Sequence, residues 1–142
     1  MKKTILILLP GLLLALAGFS QDIKEKDVPA AARTAFSKKY PDVAKASWEK
    51  EKGNYEANWG GKSGEDHSAQ FSPSGEFLEI VDAIPVSSLP ADISSYVTTH
   101  YNAKIREAGK VTDKSGKQSY EVEIKGKDLI FGLDGKFIRE EH

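Results

Sequence analysis

Two stretches of the chain carry apolar residues at the spacing of one face of an α-helix. Their apolar positions correspond one to one. They are Val28, Ala32, Ala35, Phe36 and Tyr40 in the first stretch and Leu89, Ile93, Tyr96, Val97 and Tyr101 in the second. Each stretch begins with an apolar residue that is followed by Pro-Ala. The pattern therefore predicts two equivalent helices, each buried along one face.

The residues that flank these stretches predict where the helices begin and end. Asp27 and Ser88 stand where an N-cap is expected. A proline in the first turn costs nothing there, because its missing N–H would have no partner. Pro41 is expected to stop the first helix, and Asn102 is expected to end the second.

After each helix the pattern changes to alternation, which is typical of strands with one buried and one wet face. The apolar members, expected to face the helices, are Tyr55, Ala57, Trp59, Tyr120, Val122 and Ile124. The polar members, expected to face water on the other side of the sheet, are Glu56, Asn58, Glu121 and Glu123. An open sheet face with this composition suits a basic or polar protein partner.

Turn signals divide each half into four strands, and Ser74-Gly75 and Asp134-Gly135 mark equivalent hairpins. The predicted strands are 43–51, 54–60, 67–72 and 76–82, followed by 103–113, 118–125, 128–133 and 136–140. The predicted fold class is α+β, with two tandem α-β-β-β-β repeats forming an antiparallel sheet and the helices on one face. The repeats span about 27–84 and about 88–142, within a single domain 21–142.

The first 20 residues are typical of a secretory signal peptide. Two lysines precede an apolar run from Ile5 to Phe19, and cleavage is predicted near Ser20-Gln21. The run is shorter than the roughly 20 residues that span a bilayer. We therefore expect a periplasmic or secreted protein that is not inserted in the membrane after cleavage. Without cysteine, the chain can carry neither a lipid anchor nor a disulfide.

The charge and the absence of catalytic motifs argue against two classes of function. The formal net charge is −1 and there are no basic clusters, which argues against nucleic acid as a partner. The sequence contains no Gly-x-Ser-x-Gly motif and no grouping of a nucleophile with a base, so we expect no catalytic residues, no cofactor and no enzyme activity.

The three histidines do not stand at spacings typical of metal ligands. His100, near the end of the second helix, is interpreted as structural. No metal is expected. The weak alternative is a site formed by Glu65, Asp66 and His67, in a 60–67 loop that is longer than its counterpart in the second repeat.

Trp48 and Trp59 have no tryptophan counterparts in the second repeat. Large aromatic residues are favoured anchors at binding surfaces. These two therefore join Glu56, Asn58, Glu121 and Glu123 as candidate partner-binding residues. The competing interpretation is that both tryptophans belong to the core, and the alternation favours it for Trp59.

A signal peptide followed by two helix-and-four-strand units resembles the exported PepSY-like proteins, which are similar to the beta-lactamase inhibitor protein. The resemblance covers essentially all of residues 22–142. It is carried by Val28-Pro29-Ala30 and Leu89-Pro90-Ala91, by the Tyr-Glu pairs at 55–56 and 120–121, and by the Gly-x-Phe hairpins at 75–77 and 135–137. The inhibitor carries disulfides whereas this chain has no cysteine, so its particular activity is not transferred.

The resemblance implies a periplasmic location and a binding or inhibitory role. We therefore expect protein–protein contact through the open sheet face, with another exported or envelope protein as the partner. The alternative is an envelope-stress or structural module that binds a metal or small ligand through the 60–67 loop. The sequence leaves the oligomeric state open.

Overall fold

A helix followed by four strands occurs twice along residues 20–142, the part of the chain that the computed structural model describes. The first repeat contains α1 (Ala30–Lys39), β2 (Ser47–Glu51), β3 (Asn54–Trp59), β4 (His67–Phe71) and β5 (Phe77–Ile84), preceded by β1 (Gln21–Ile23). The second contains α2 (Ala91–Tyr101), β6 (Glu107–Asp113), β7 (Gln118–Ile124), β8 (Lys127–Gly132) and β9 (Phe137–Glu141). The predicted α+β class and tandem repeat are confirmed. The predicted signal peptide lies outside the described residues, except for Ser20.

All nine strands form one antiparallel sheet in which each strand pairs with its neighbours in sequence. The pairing of β5 with β6, from Glu79 opposite Asp113 to Ile84 opposite Ala108, joins the two repeats. β1 was not predicted, and it gives the first repeat a fifth strand. It has only three residues, and Ile23 lies opposite Trp48 of β2.

The predicted N-caps are wrong, because the cap positions are held by Pro29 and Pro90 and neither helix start has a side-chain cap. Asp27 and Ser88 instead close short 3-10 turns, in which their amides donate to carbonyls three residues earlier. The predicted helix ends are confirmed: α1 stops at Lys39, and Asn102 ends α2 in a left-handed conformation with φ of 46°. The first strand of each repeat begins later than predicted, at Ser47 and at Glu107.

Each helix covers its own hydrophobic cluster on the same face of the sheet. Phe36 of α1 packs with Phe71, and Val97 of α2 belongs to the cluster that contains Phe131. Cross-strand pairing runs from Trp59 through His67, Asp82 and Lys110 to Tyr120, so Trp59 and Tyr120 share one face. Since these two residues pack against different clusters, both helices lie on that face, as predicted.

The sheet is strongly curled. The Nζ atom of Lys52, in the turn after β2, lies 3.6 Å from a carboxylate oxygen of Glu141 on β9. In a flat sheet these positions would be about 30 Å apart, because neighbouring strands are spaced by about 4.8 Å. The sheet comes so close to itself at Gly109 of β6 that a Cβ at this position would collide with the side chain of Val81. The helix-free face is therefore the inner face of the curl.

No helix within residues 20–142 has the length and apolar character that crossing a membrane requires.

Candidate functional site

Acidic side chains gather on the inner face of the curled sheet. We call the following six residues the acidic trough: Glu51, Glu56, Glu79, Glu121, Asp128 and Glu141. Strand pairing places Glu56 and Glu79 on one face with Glu49 and Gln70. The alternation that directs Ala57 and Val122 towards the helices directs Glu56 and Glu121 into the trough.

Glu56 lies on β3 and is half-buried although no helix covers it. Burial is the largest factor that raises its pKa to about 7, and the carboxylates of Glu51, Glu49 and Glu79 add to the rise. A hydrogen bond from Asn58 acts in the opposite direction. The Glu56 carboxyl therefore titrates near neutral pH.

Glu121 occupies the corresponding place in the second repeat. Burial raises its pKa to about 8, and Asp128, Glu79 and Glu56 add to this rise in decreasing order. Because the contributing carboxylates come from both repeats, the curl itself brings the charges together. Glu121 is consequently protonated in much of the population at neutral pH.

The expectation that the polar residues of this face are fully solvated is wrong for Glu56 and Glu121, which the curl shields from water. It also desolvates Glu79 and Asp128, and burial is the leading cause of the raised pKa of each. The sequence prediction does not include these two residues. Their alternation with Ile80 and Leu129 is the signal that could have placed them on the same face.

Few positive charges oppose these acids among the described residues. Lys52 and Arg139 both bind Glu141, and the Arg139 Nη2 to Glu141 Oε1 distance is 2.7 Å. At the rim of the trough, Arg106 Nη1 lies 3.6 Å from Glu123 Oε1. The pKa of Glu123 is raised, first by burial and then by Glu107. The trough therefore retains an excess of carboxyl groups over cations.

Asn58 forms part of the floor on the side of β3. The residue is 5% exposed, and its Oδ1 accepts a hydrogen bond of 2.5 Å from the Ser68 hydroxyl. Two cavities of about 110 and 120 Å³ open on the inner face, and Glu121 lines both. Sites for cofactors and drug-sized ligands are about 300–1,000 Å³. The trough is therefore better suited to side chains of another protein.

The structure brings Glu56, Asn58, Glu121 and Glu123 together on the uncovered face, but it does not place the tryptophans there. Trp48 is 4% exposed and packs edge-on against Phe36, with 5.3 Å between ring centroids. It is a core residue on the helix side, so little of its ring is accessible to a partner.

Trp59 is half-buried on the helix side. It packs between Phe36 and Tyr40, with ring centroids 5.3 and 4.8 Å away. It therefore lies on the face opposite the other candidates, as the alternation favoured.

The three residues of the alternative metal site point to different places. His67 lies on the helix face, where its Nδ1 is 2.7 Å from Asp82 Oδ1, whereas Glu65 lines a cavity of the inner face. Between them, Asp66 donates its amide to the Gly60 carbonyl. Within residues 20–142 no three His, Cys, Asp or Glu side chains are arranged to hold a metal ion. Glu65 and Asp66 precede β4, which begins at His67, so the strand does not hold the three side chains on one face.

His100, interpreted as structural, remains within its helix. Its ring stacks on Tyr96 at 3.9 Å, and its Nδ1 is 3.0 Å from the Tyr96 carbonyl oxygen.

A family model described as "Putative beta-lactamase-inhibitor-like, PepSY-like" matches the chain twice, over residues 18–66 and 62–139. The first match covers β1, α1, β2 and β3, and the second covers β4, β5 and most of the second repeat. No curated protein matches the sequence.

Solved structures from Bacteroides species share the fold. A protein from Bacteroides eggerthii described as a "putative periplasmic" protein superposes with a TM-score of 0.62 at 17% identity, covering 80% of this chain and 88% of that one. A DUF2874 family protein from Bacteroides uniformis gives a TM-score of 0.61 at 17% identity, with the same coverages. A "BLIP-like protein" from Bacteroides fragilis gives a TM-score of 0.53 at 18% identity, covering 78% of this chain and 83% of that one. At these identities the likeness concerns the fold, and none of the matches indicates a catalytic family.

Proposed function

Because the chain belongs to the PepSY-like, beta-lactamase-inhibitor-like family, we propose that it is an exported, non-enzymatic binding or inhibitory module that contacts another protein through the acidic trough. The partner is another exported or envelope protein, and it presents a basic or polar segment to the trough. The description of the Bacteroides fragilis relative as BLIP-like supports a protein partner.

This proposal rests on the difference between the two faces of the sheet. The helices bury the apolar side chains of one face, whereas the other face remains uncovered, curled and rich in carboxylates. Uncovered carboxylates with few cations nearby attract positive charge, which speeds association with a basic partner. Both repeats contribute carboxylates to this surface.

The proposed location is the periplasm. The predicted signal peptide supports export, and the Bacteroides eggerthii relative is described as "putative periplasmic". Mass spectrometry of the protein from its host tests export, because a chain that begins at or near Gln21 is expected.

Charge reversal at the rim of the trough tests the binding surface. Glu107 is exposed and lies opposite the half-buried Glu123 in strand pairing, so Glu107→Lys with Glu123→Lys changes the charge and spares the core. We expect the wild-type protein to retrieve a reproducible partner from periplasmic extract and the double variant to lose it, with the largest difference at low salt.

The matched control is Glu25→Lys with Asp42→Lys, which reverses two exposed charges outside the trough. This variant should retrieve the partner as the wild-type protein does. Equal retrieval by both double variants would refute the trough as the contact surface.

A further inference from the structure

The described part of the molecule is built as two halves with separate cores. One hydrophobic cluster surrounds Phe36 and Phe71, and the other surrounds Val97 and Phe131. On the helix face between them, the β5–β6 ladder places Ile80 opposite Thr112, Asp82 opposite Lys110 and Ile84 opposite Ala108. Only Ile84 and Ala108 form a pair that is apolar on both strands, so a change of angle between the halves would separate few apolar groups on this face.

Acidic groups from the two halves face each other across the trough. The first half contributes Glu51, Glu56 and Glu79, and the second contributes Glu121 and Asp128. At the mouth, the halves are tied by the Lys52–Glu141 ion pair, whose side chains are 42% and 34% exposed. Such exposed pairs contribute little to stability.

We propose that ionisation of Glu56 and Glu121 opens the curl of the sheet by bending it at the β5–β6 ladder, so that the trough is narrow when these carboxyls are protonated and wide when they are charged. This inference concerns the isolated protein. The opening does not require the proposed partner, so its test is independent of the proposed function.

The surroundings of Glu56 explain why its charge favours an open trough. It faces Glu49 and Glu51 on β2, uncharged Gln70 on β4, Glu79 on β5 and Asn58 on its own strand. The groups that affect its pKa most include no cation. A negative charge at Glu56 therefore meets other negative charges, and it gains solvation if the halves separate.

Glu121 meets a similar environment on more strands. The titratable and charged groups that face it or share its cavities are Glu56 on β3, Glu65 before β4, Glu79 on β5, Glu107 and Asp113 on β6, Lys117 before β7, Glu123 on its own strand, Asp128 on β8, and Arg139 and Glu141 on β9. Arg139 is already bound to Glu141. Acids outnumber cations in this set, so ionisation of Glu121 adds to repulsion between the halves.

The direction of the pH effect follows from burial. The pKa is about 7 for Glu56 and about 8 for Glu121, both above the ordinary value of 4.5. Below about pH 6 both carboxyls are protonated and uncharged, so they do not repel the other acids of a narrow trough. Above about pH 9 both are ionised, and a wide trough becomes both more accessible and more attractive to a cationic segment.

A distance measurement across the mouth tests the proposal. The chain has no cysteine, so Lys50→Cys on β2 and Lys125→Cys in the turn after β7 provide two unique sites for spin labels, both exposed. Double electron–electron resonance should show a longer mean distance at about pH 9 than at about pH 6, reversible on returning to the lower pH and bracketing the pKa values of the two glutamates.

Two variants of the labelled protein test whether ionisation of Glu56 and Glu121 causes the change in distance. Glu56→Gln with Glu121→Gln should hold the short distance at both pH values, whereas Glu25→Gln with Asp42→Gln, which neutralises two exposed acids elsewhere, should lengthen like the parent. If the glutamine pair does not fold, Glu121→Gln alone should reduce the change. An unchanged distance in the folded parent would overturn the proposal, as would an equal change in the glutamine variants.

Discussion

Glu121 illustrates at the residue scale how its surroundings alter an ordinary side chain. It lies on a polar strand face, yet the curl of the sheet takes it out of water and sets it among other acids. An acid whose pKa is raised on folding binds its proton more tightly in the folded state. The contribution of Glu121 to the free energy of unfolding therefore falls as the pH rises from about 4.5 to about 8, and it stays lower above that range.

Glu121→Gln should remove this pH-dependent loss. At about pH 9 the variant should be more stable than the wild-type protein by more than about 1 kcal/mol, since each pKa unit is worth about 1.4 kcal/mol and partial exposure reduces the full effect. At about pH 4, where Glu121 is protonated in both states, the two proteins should be nearly equal. Urea denaturation at both pH values measures the difference. Glu25→Gln is the control, and a gain of the same size at both pH values would contradict the account.

Trp48 provides the second prediction at this scale. It is 4% exposed and packs against Phe36, so Trp48→Ala removes a large buried aromatic group. The expected loss is about 3–5 kcal/mol in the free energy of unfolding. Trp59→Ala should reduce the free energy of unfolding by less, because Trp59 is only half-buried. A loss at Trp48 below about 1 kcal/mol, measured by chemical denaturation, would be incompatible with its place in the core.

At the scale of elements, the hairpins β4–β5 and β8–β9 are equivalent in sequence but not in packing. Gly75 and Gly135 both have a positive φ, 86° and 80°, which favours glycine. A Cβ on Gly75 would lie 2.6 Å from the Ala31 carbonyl oxygen of α1. The nearest atom to a Cβ on Gly135 would be Asp92 Cβ, at 3.4 Å. Only the first hairpin is pressed against the backbone of its helix.

We therefore predict different costs for the same substitution in the two hairpins. Gly135→Ala should cost about 1–2 kcal/mol, the strain of a left-handed conformation for a residue with a side chain. Gly75→Ala should cost clearly more, because the backbone of α1 must also move. Thermal or urea unfolding of the two variants measures both costs, and each serves as the control of the other. Equal losses would mean that the hairpin does not contact α1 as described.

The helices and eight of the strands could be predicted from the sequence because their patterns are periodic. The helical spacing of the apolar residues around Phe36, and of those around Val97, marks the buried face of each helix. The alternation around Ala57 and Val122 marks the strands and shows which side chains face the helices and which face the inner side of the sheet. β1 could not be predicted, since three residues carry no period and its position depends on pairing with β2. The predicted N-caps are wrong because a proline holds the N-cap position of each helix, directly after a 3-10 turn.

The candidate site was predictable only in part, because it arises at the scale of the whole molecule. Alternation placed Glu56, Asn58, Glu121 and Glu123 together on the helix-free face. The curl depends on pairing across all nine strands, and the short distance between Lys52 and Glu141 leaves no trace in local sequence. The desolvation of Glu56 and Glu121 follows from that curl.

The separation of the two cores makes a prediction about the whole molecule. Val28 belongs to the first cluster and Ile93 to the second, and both are buried. The losses of stability from Val28→Ala and Ile93→Val should add in the double variant within about 0.5 kcal/mol, as expected for distant and independent sites. The control pair, Ile93→Val with Val97→Ala, lies within one cluster and should deviate from additivity. Strong coupling between Val28 and Ile93 in denaturation experiments would show that the halves share one core.

We expect the inner face of the curled sheet to be the contact surface for a protein partner. Site-specific photo-crosslinking in the host envelope tests this most directly, with the photoreactive residue at Gln70 on β4 or Ser119 on β7, and at exposed Ser37 on α1 as the control. We expect one adduct of the same mass from Gln70 and Ser119, weakened by Glu107→Lys with Glu123→Lys, and no such adduct from Ser37. An adduct from Ser37 together with none from the two inner positions would contradict it.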